Sequence, residues 1–162
     1  KMAGDVEALV ARLRGARGGQ ASAAVAELAT AAWVDESLHA PLAEAGALPL
    51  LVALLRSTDA AAQAHAADAL SAPAFDEVVR KRIVDAGVLP ELVSLVRAGN
   101  VDDTRNALLA IGWFAEDAPT RLLLVGAGAL PPLVELLRAG SEGDKVIVMA
   151  AIGELAKDAA TR

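Results

Sequence analysis

Ala45-Gly46-Ala47-Leu48-Pro49-Leu50-Leu51-Val52-Ala53-Leu54-Leu55 is the stretch that decides the fold. It returns as Ala86-Gly87-Val88-Leu89-Pro90-Glu91-Leu92-Val93-Ser94-Leu95-Val96. It returns again as Ala127-Gly128-Ala129-Leu130-Pro131-Pro132-Leu133-Val134-Glu135-Leu136-Leu137, each time after 41 residues. Counted from the glycine, apolar residues fall two, five, six, eight and nine positions later, which is helical spacing and not strand alternation. The proline, three positions on, suits a first helical turn, whose N–H groups have no intrahelical partner. The glycine suits the end of the preceding helix, where a left-handed backbone tolerates no Cβ strain. The stretch therefore predicts a sharp corner between two helices. A fixed period of this size is the signature of a solenoid, whose units bury their apolar faces against one another.

The pattern extends in both directions. Gly4, Val6, Leu9, Val10 and Leu13 match the register 42 residues before Gly46, with Glu7 in place of the proline. A longer helix follows each corner helix, marked by an apolar residue at Leu28, Leu70, Ile111 and Ile152. Turn-forming residues precede it at Gly15 to Gly19, Ser57-Thr58-Asp59, Gly99-Asn100 and Gly140 to Gly143. A short helix then leads to the next glycine and opens on Asp35, Asp76, Asp117 and Asp158. Aspartate accepts hydrogen bonds from the free N–H groups of a helix start and suits the positive end of its dipole. The first unit holds one extra residue, placed by register between Leu28 and Asp35. Pro73 is expected to stop the second long helix early.

Each unit thus reads as a short, a medium and a long helix. This resembles the armadillo repeat, down to the glycine corner and the Leu-Pro-x-Leu-Val-x-Leu-Leu medium helix. A HEAT array uses two helices per unit and lacks this corner. The resemblance implies an all-α fold, a right-handed α-solenoid of armadillo-type three-helix repeats with a period of 41–42. The units fall at about 1–34 (partial), 35–75, 76–116 and 117–157 of a single array spanning residues 1–162. Asp158-Ala159-Ala160-Thr161-Arg162 echoes Asp117-Ala118-Pro119-Thr120-Arg121 and begins a further unit, so the chain is expected to be a fragment of a longer array.

Composition narrows the function. The residues are 55% hydrophobic but only 2% aromatic, so the core must come from Ala, Leu, Val and Ile. There is no Cys, which rules out disulfides, zinc–thiolate sites and cysteine nucleophiles, and fits an intracellular protein, cytoplasmic or nuclear. The net charge of −6 argues against nucleic acid and anionic membranes as partners. The longest apolar run, Leu122 to Val134, is interrupted by glycines and prolines and is shorter than the roughly 20 residues of a membrane span.

No catalytic constellation emerges. Gly126-Ala127-Gly128 imitates half of a dinucleotide-binding turn, but Pro131 follows and Gly128 already has a corner to make. Gly15-Ala16-Arg17-Gly18-Gly19 reads as a connector, with no Lys-Ser/Thr to make it a P-loop. His39 and His65 lie in different units, and a metal site there would need carboxylates such as Asp68. No enzyme activity, cofactor or metal is expected. Two rows of cations recur. Arg14, Arg56, Arg97 and Arg138 close the medium helices, facing the negative end of the dipole. His39, Arg80, Arg121 and Arg162 share a register in the short helices, suited to pairing with acids of adjacent units or to an edge that binds an acidic ligand.

The armadillo resemblance implies a protein–protein interaction scaffold, with a protein or peptide partner on the concave face lined by the long helices. The family's groove carries an Asn ladder with a Trp one turn before it. Here the Asn register holds Thr30, Ala72, Trp113 and Glu154, and the Trp register Ala26, Asp68, Leu109 and Ala150, which counts against import-type recognition of basic peptides. The residues left to contact a partner on that face are His65, Asp68, Arg105, Asn106, Trp113 and Glu154, with Trp113 suited either to anchor a partner or to pack between units. Asp102 and Asp103 serve to start the third long helix. The last long helix is apolar on every side at Val146, Ile147, Val148 and Met149. These four give the alternative reading, an assembly module that self-associates into a homo-oligomer through its terminal repeat.

Overall fold

The computed structural model describes residues 2–72, 76–98 and 101–157, the side chains of 2–4 and 101–103 excepted. Pro73, the Gly99-Asn100 turn, Asp158 and Arg162 lie outside the described residues, as do the side chains of Asp102 and Asp103. The chain divides into two compact units, Lys1–Val88 and Leu89–Arg162.

The first unit holds α1 (Met2–Gly15), α2 (Gly19–Val34), a 3-10 turn (Glu36–Leu38), α3 (His39–Glu44), α4 (Ala47–Leu54), α5 (Ala60–Ser71) and α6 (Glu77–Asp85). Gly46 and Gly87 have φ of 83° and 89°, as the corners require. The 3-10 turn and α3 together meet α4 at 92°. Asp35 and Asp76 cap their short helices, accepting from the N–H groups of Ser37 and Val79. The first short helix opens as a 3-10 turn because Pro41 has no N–H to offer the Ser37 carbonyl four residues back. The long helices α2 and α5 lie against each other through buried alanines, among them Ala24, Ala29, Ala66 and Ala67, around Leu28 and Leu70. Side chains this small let two helices approach closely. Asp59 caps α5 through the N–H groups of Ala61 and Ala62. The extra residue of this unit lengthens α2, which stays helical to Val34 and leaves Trp33 and Val34 exposed.

The second unit holds the rest of α7 (Val88–Ala98), then α8 (Val101–Ala115), α9 (Ala118–Gly126), α10 (Leu130–Ala139) and α11 (Glu142–Ala156). Gly128 has φ of 81°, and α9 meets α10 at 79°. Asp117 caps α9 through the Thr120 N–H, and Ser141 caps α11 through the Asp144 N–H. The turn before α11 is therefore shorter than its glycines suggest, since Gly143 is already helical. α8 packs on α11, α9 packs against both, and α10 packs against α11. Leu92, Leu108, Ile111, Phe114, Leu124, Leu133 and Val148 are wholly buried. Burying each such side chain is worth about 1.5–3 kcal/mol. Among the described residues, no single helix is long and apolar enough to cross a membrane.

Candidate functional site

The two cation rows resolve first. Arg14 reaches the corner glycine of the following repeat: a Cβ placed on Gly46 would lie 3.6 Å from its Nη2. Arg97 does the same at Gly128, at 3.7 Å. Arg14 and Arg97 thus sit on the next corner as well as at a helix end, whereas a Cβ on Gly87 would meet nothing within 4 Å and Arg138 pairs with Glu135 on its own helix. The short-helix row is buried at His39 and Arg121. His39 Nε2 donates to the Ala32 carbonyl at 2.8 Å, and Arg121 Nη1 donates to the Ala115 carbonyl at 2.8 Å. Both carbonyls lie in the last turn of a long helix, where four C=O groups have no intrahelical donor. These two residues cap the long helix that precedes them, and are not open to an acidic ligand.

In the first unit, His65 and Asp68 stand one turn apart on α5, each half-buried. Asp68 Oδ1 accepts from Trp33 Nε1 at 2.9 Å, so its carboxylate is engaged from α2. Sequence reasoning had passed over Trp33. The glycine connector after α1 is short, with turn bonds from Ala16 N to Leu13 O and from Gln20 N to Arg17 O. Arg12, beside it, is ion-paired with Glu27. Among the described residues, no group of three or more His, Asp or Glu side chains converges to hold a metal.

In the second unit, α8 and α11 leave a cleft of about 200 Å³ between them. It is lined by Leu108, Leu109, Gly112, Trp113, Glu116, Ile147, Ala150, Ala151 and Glu154. Trp113 and Glu154 hold the same repeat register, which is why packed long helices bring them together. Gly112 keeps the wall beside the indole low. Trp113 is half-buried in this wall, and is not a free-standing anchor. Lys157 Nζ lies 2.5 Å from the buried Glu154 Oε2 and compensates its charge. Glu116, one turn after Trp113, adds an exposed carboxylate that sequence reasoning missed. Arg105, exposed, and Asn106, half-buried, lie two turns earlier on α8 and do not line the cleft.

The apolar sequence of α11 divides cleanly. Asp144, Val148, Ala151 and Leu155 form the buried stripe. Val148 is wholly buried and so cannot belong to a surface for self-association, which corrects that expectation. Ile147 lines the cleft, while Val146 and Met149 face water.

Comparison with known proteins agrees with this architecture. Residues 40–71 match the family model of the armadillo/beta-catenin-like repeat. No curated protein matches the chain by sequence. Among solved structures, computationally designed armadillo repeat proteins for modular peptide recognition align at a TM-score of 0.84 and 32% identity, over 93% of this chain and 64% of theirs. A designed armadillo repeat protein in complex with the peptide (KR)4 aligns at 0.87 and 28% identity, over 94% of this chain and 64% of its own. A further engineered protein aligns at 0.86 and 30% identity, over 93% of this chain and 63% of its own. The chain thus spans 63–64% of the length of these structures. With its glycine corners, its three-helix units and these likenesses, the chain has the armadillo-repeat fold, and residues 40–71 match that family's repeat.

Proposed function

We propose that the chain is a non-catalytic scaffold that binds a protein or peptide partner on the concave face formed by its long helices, with the α8–α11 cleft as the anchor point. The cleft carries this reading. Small-molecule sites usually enclose about 300–1,000 Å³. This one is smaller and open, the size for one inserted side chain of a larger partner. Its floor is apolar, one wall is an indole, and Glu116 and Glu154 stand at its edge. That arrangement suits a side chain with an apolar stem and a hydrogen-bond donor at its tip. The peptide-bound designed relative supports the choice of a peptide as partner. Recognition here rests on one anchor cleft and not on a repeated Asn ladder.

Peptide display against the immobilised chain tests the reading. Selected peptides should bind Trp113→Ala at least about tenfold more weakly, a loss of 1.4 kcal/mol, at unchanged helicity. Glu154→Gln should weaken those peptides that carry Lys or Arg at the anchor position. Peptides that bind wild type and Trp113→Ala equally would refute the assignment.

A further inference from the structure

The charge pattern of the α8–α11 cleft is completed one turn beyond Trp113 and Glu154. The residue before each short-helix aspartate is Val34, Phe75, Glu116 and Lys157, so the register that places a carboxylate after Trp113 places an ammonium after Glu154. Lys157 is the C-cap of α11, and its side chain is 56% exposed against 28% for Glu154. Glu154 lines the cleft and Lys157 does not. The ammonium therefore meets the carboxylate from outside the cleft wall, and the carboxylate offered to a ligand is already neutralised.

A carboxylate has about four lone-pair sites and an ammonium three donors, so the pair has bonding capacity left on both partners. A ligand cation would have to evict Lys157 or share Glu154 with it, which brings two like charges together at a half-buried site. An uncharged amide meets neither obstacle: its NH2 donates to the carboxylate and its carbonyl accepts from the ammonium. Glu116, the other carboxylate of the cleft, is exposed, and an ion pair there is weak and screened by salt. The floor made by Leu108, Ile147 and Ala151 suits the methylenes of a glutamine.

Taking the cleft as the anchor point proposed above, we infer that it selects the uncharged amide tip of a glutamine over Lys or Arg, and that Lys157 is the residue that sets this choice. With the ammonium in place, the inner end of the cleft is a carboxylate–ammonium pair that matches the donor and acceptor of one amide. Without it, the same cleft holds an uncompensated carboxylate and turns to cations.

Peptides recovered by display, resynthesised in pairs that differ only in Gln or Lys at the anchor position, test this by calorimetry. Wild type should bind the Gln member more tightly. Lys157→Gln should shift the preference toward the Lys member by at least about threefold, and Lys157→Arg should leave it within about twofold of wild type. A loss of order in α11 would weaken both members alike and leave the preference where it was. A wild type that prefers the Lys member overturns the inference, as does a preference that Lys157→Gln does not move. In either case binding that still depends on Trp113 keeps the cleft as the anchor point. Peptides indifferent to Trp113→Ala, or a display that recovers none, overturn both.

Discussion

Gly126 and Gly128 stand two residues apart, yet alanine should act on them with opposite sign. Gly126 is the last residue of α9, has a helical backbone, and would meet nothing within 4 Å if given a Cβ. Alanine loses less chain entropy there and favours the helix, so Gly126→Ala should stabilise by up to about 0.5–1 kcal/mol. Gly128 has φ of 81°, and its Cβ would lie 3.7 Å from Arg97 Nη2, an ordinary contact. Space is therefore not the obstacle. The cost is that of a left-handed backbone with a Cβ, about 1–2 kcal/mol. For a chain of this length the melting temperature should fall by about 2–8 °C in Gly128→Ala and rise by about 1–4 °C in Gly126→Ala. Urea and thermal unfolding followed by circular dichroism would measure both. Equal effects of the same sign, or a neutral Gly128→Ala, would refute the claim that the positive φ is what demands the glycine.

Three further outcomes are expected. Arg121→Met leaves the Ala115 carbonyl without its guanidinium donor, which should cost about 1–3 kcal/mol in urea unfolding and speed amide exchange in the last turn of α8. Phe114→Ala empties a wholly buried position and should cost about 3–5 kcal/mol by the same assay. Arg12, by hydrogen bonding and then by charge, holds the Glu27 carboxyl below its ordinary range. Its stabilising contribution is present above the unfolded-state value and is lost as pH falls through the lowered folded value. A carboxyl NMR titration should show the depressed midpoint, and Arg12→Ala or added salt should bring it back toward the ordinary value.

What could be read from the sequence was whatever a residue demands of its own backbone. Gly46, Gly87 and Gly128 announce a positive φ, and Asp35, Asp76 and Asp117 announce helix starts, because both requirements are local. The joining of Trp113 and Glu154 was half legible, since equal register on successive long helices brings residues close. Other features depend on where a neighbour ends or which side it takes. His39 and Arg121 share a register, but their target carbonyls are fixed only by where α2 and α8 stop. The bond from Trp33 to Asp68 depends on the extra residue being absorbed into α2. Val148 looked like surface because α11 is apolar all round and its buried stripe contains the charged Asp144, which Ser141 satisfies.

The capping by His39 and Arg121 has a consequence for how such a chain can be divided. The sequence repeat begins at the aspartate of each short helix, so a gene cut there looks natural. In both units, however, the short helix after that aspartate holds the final turn of the long helix before it. The energetic module is thus out of phase with the sequence module: a long helix belongs with the short helix that follows. Shuffling or truncation at Asp35 or Asp117 would leave a long helix frayed at its C-terminus, whereas a boundary placed in the turn before a long helix keeps each capping bond inside one piece.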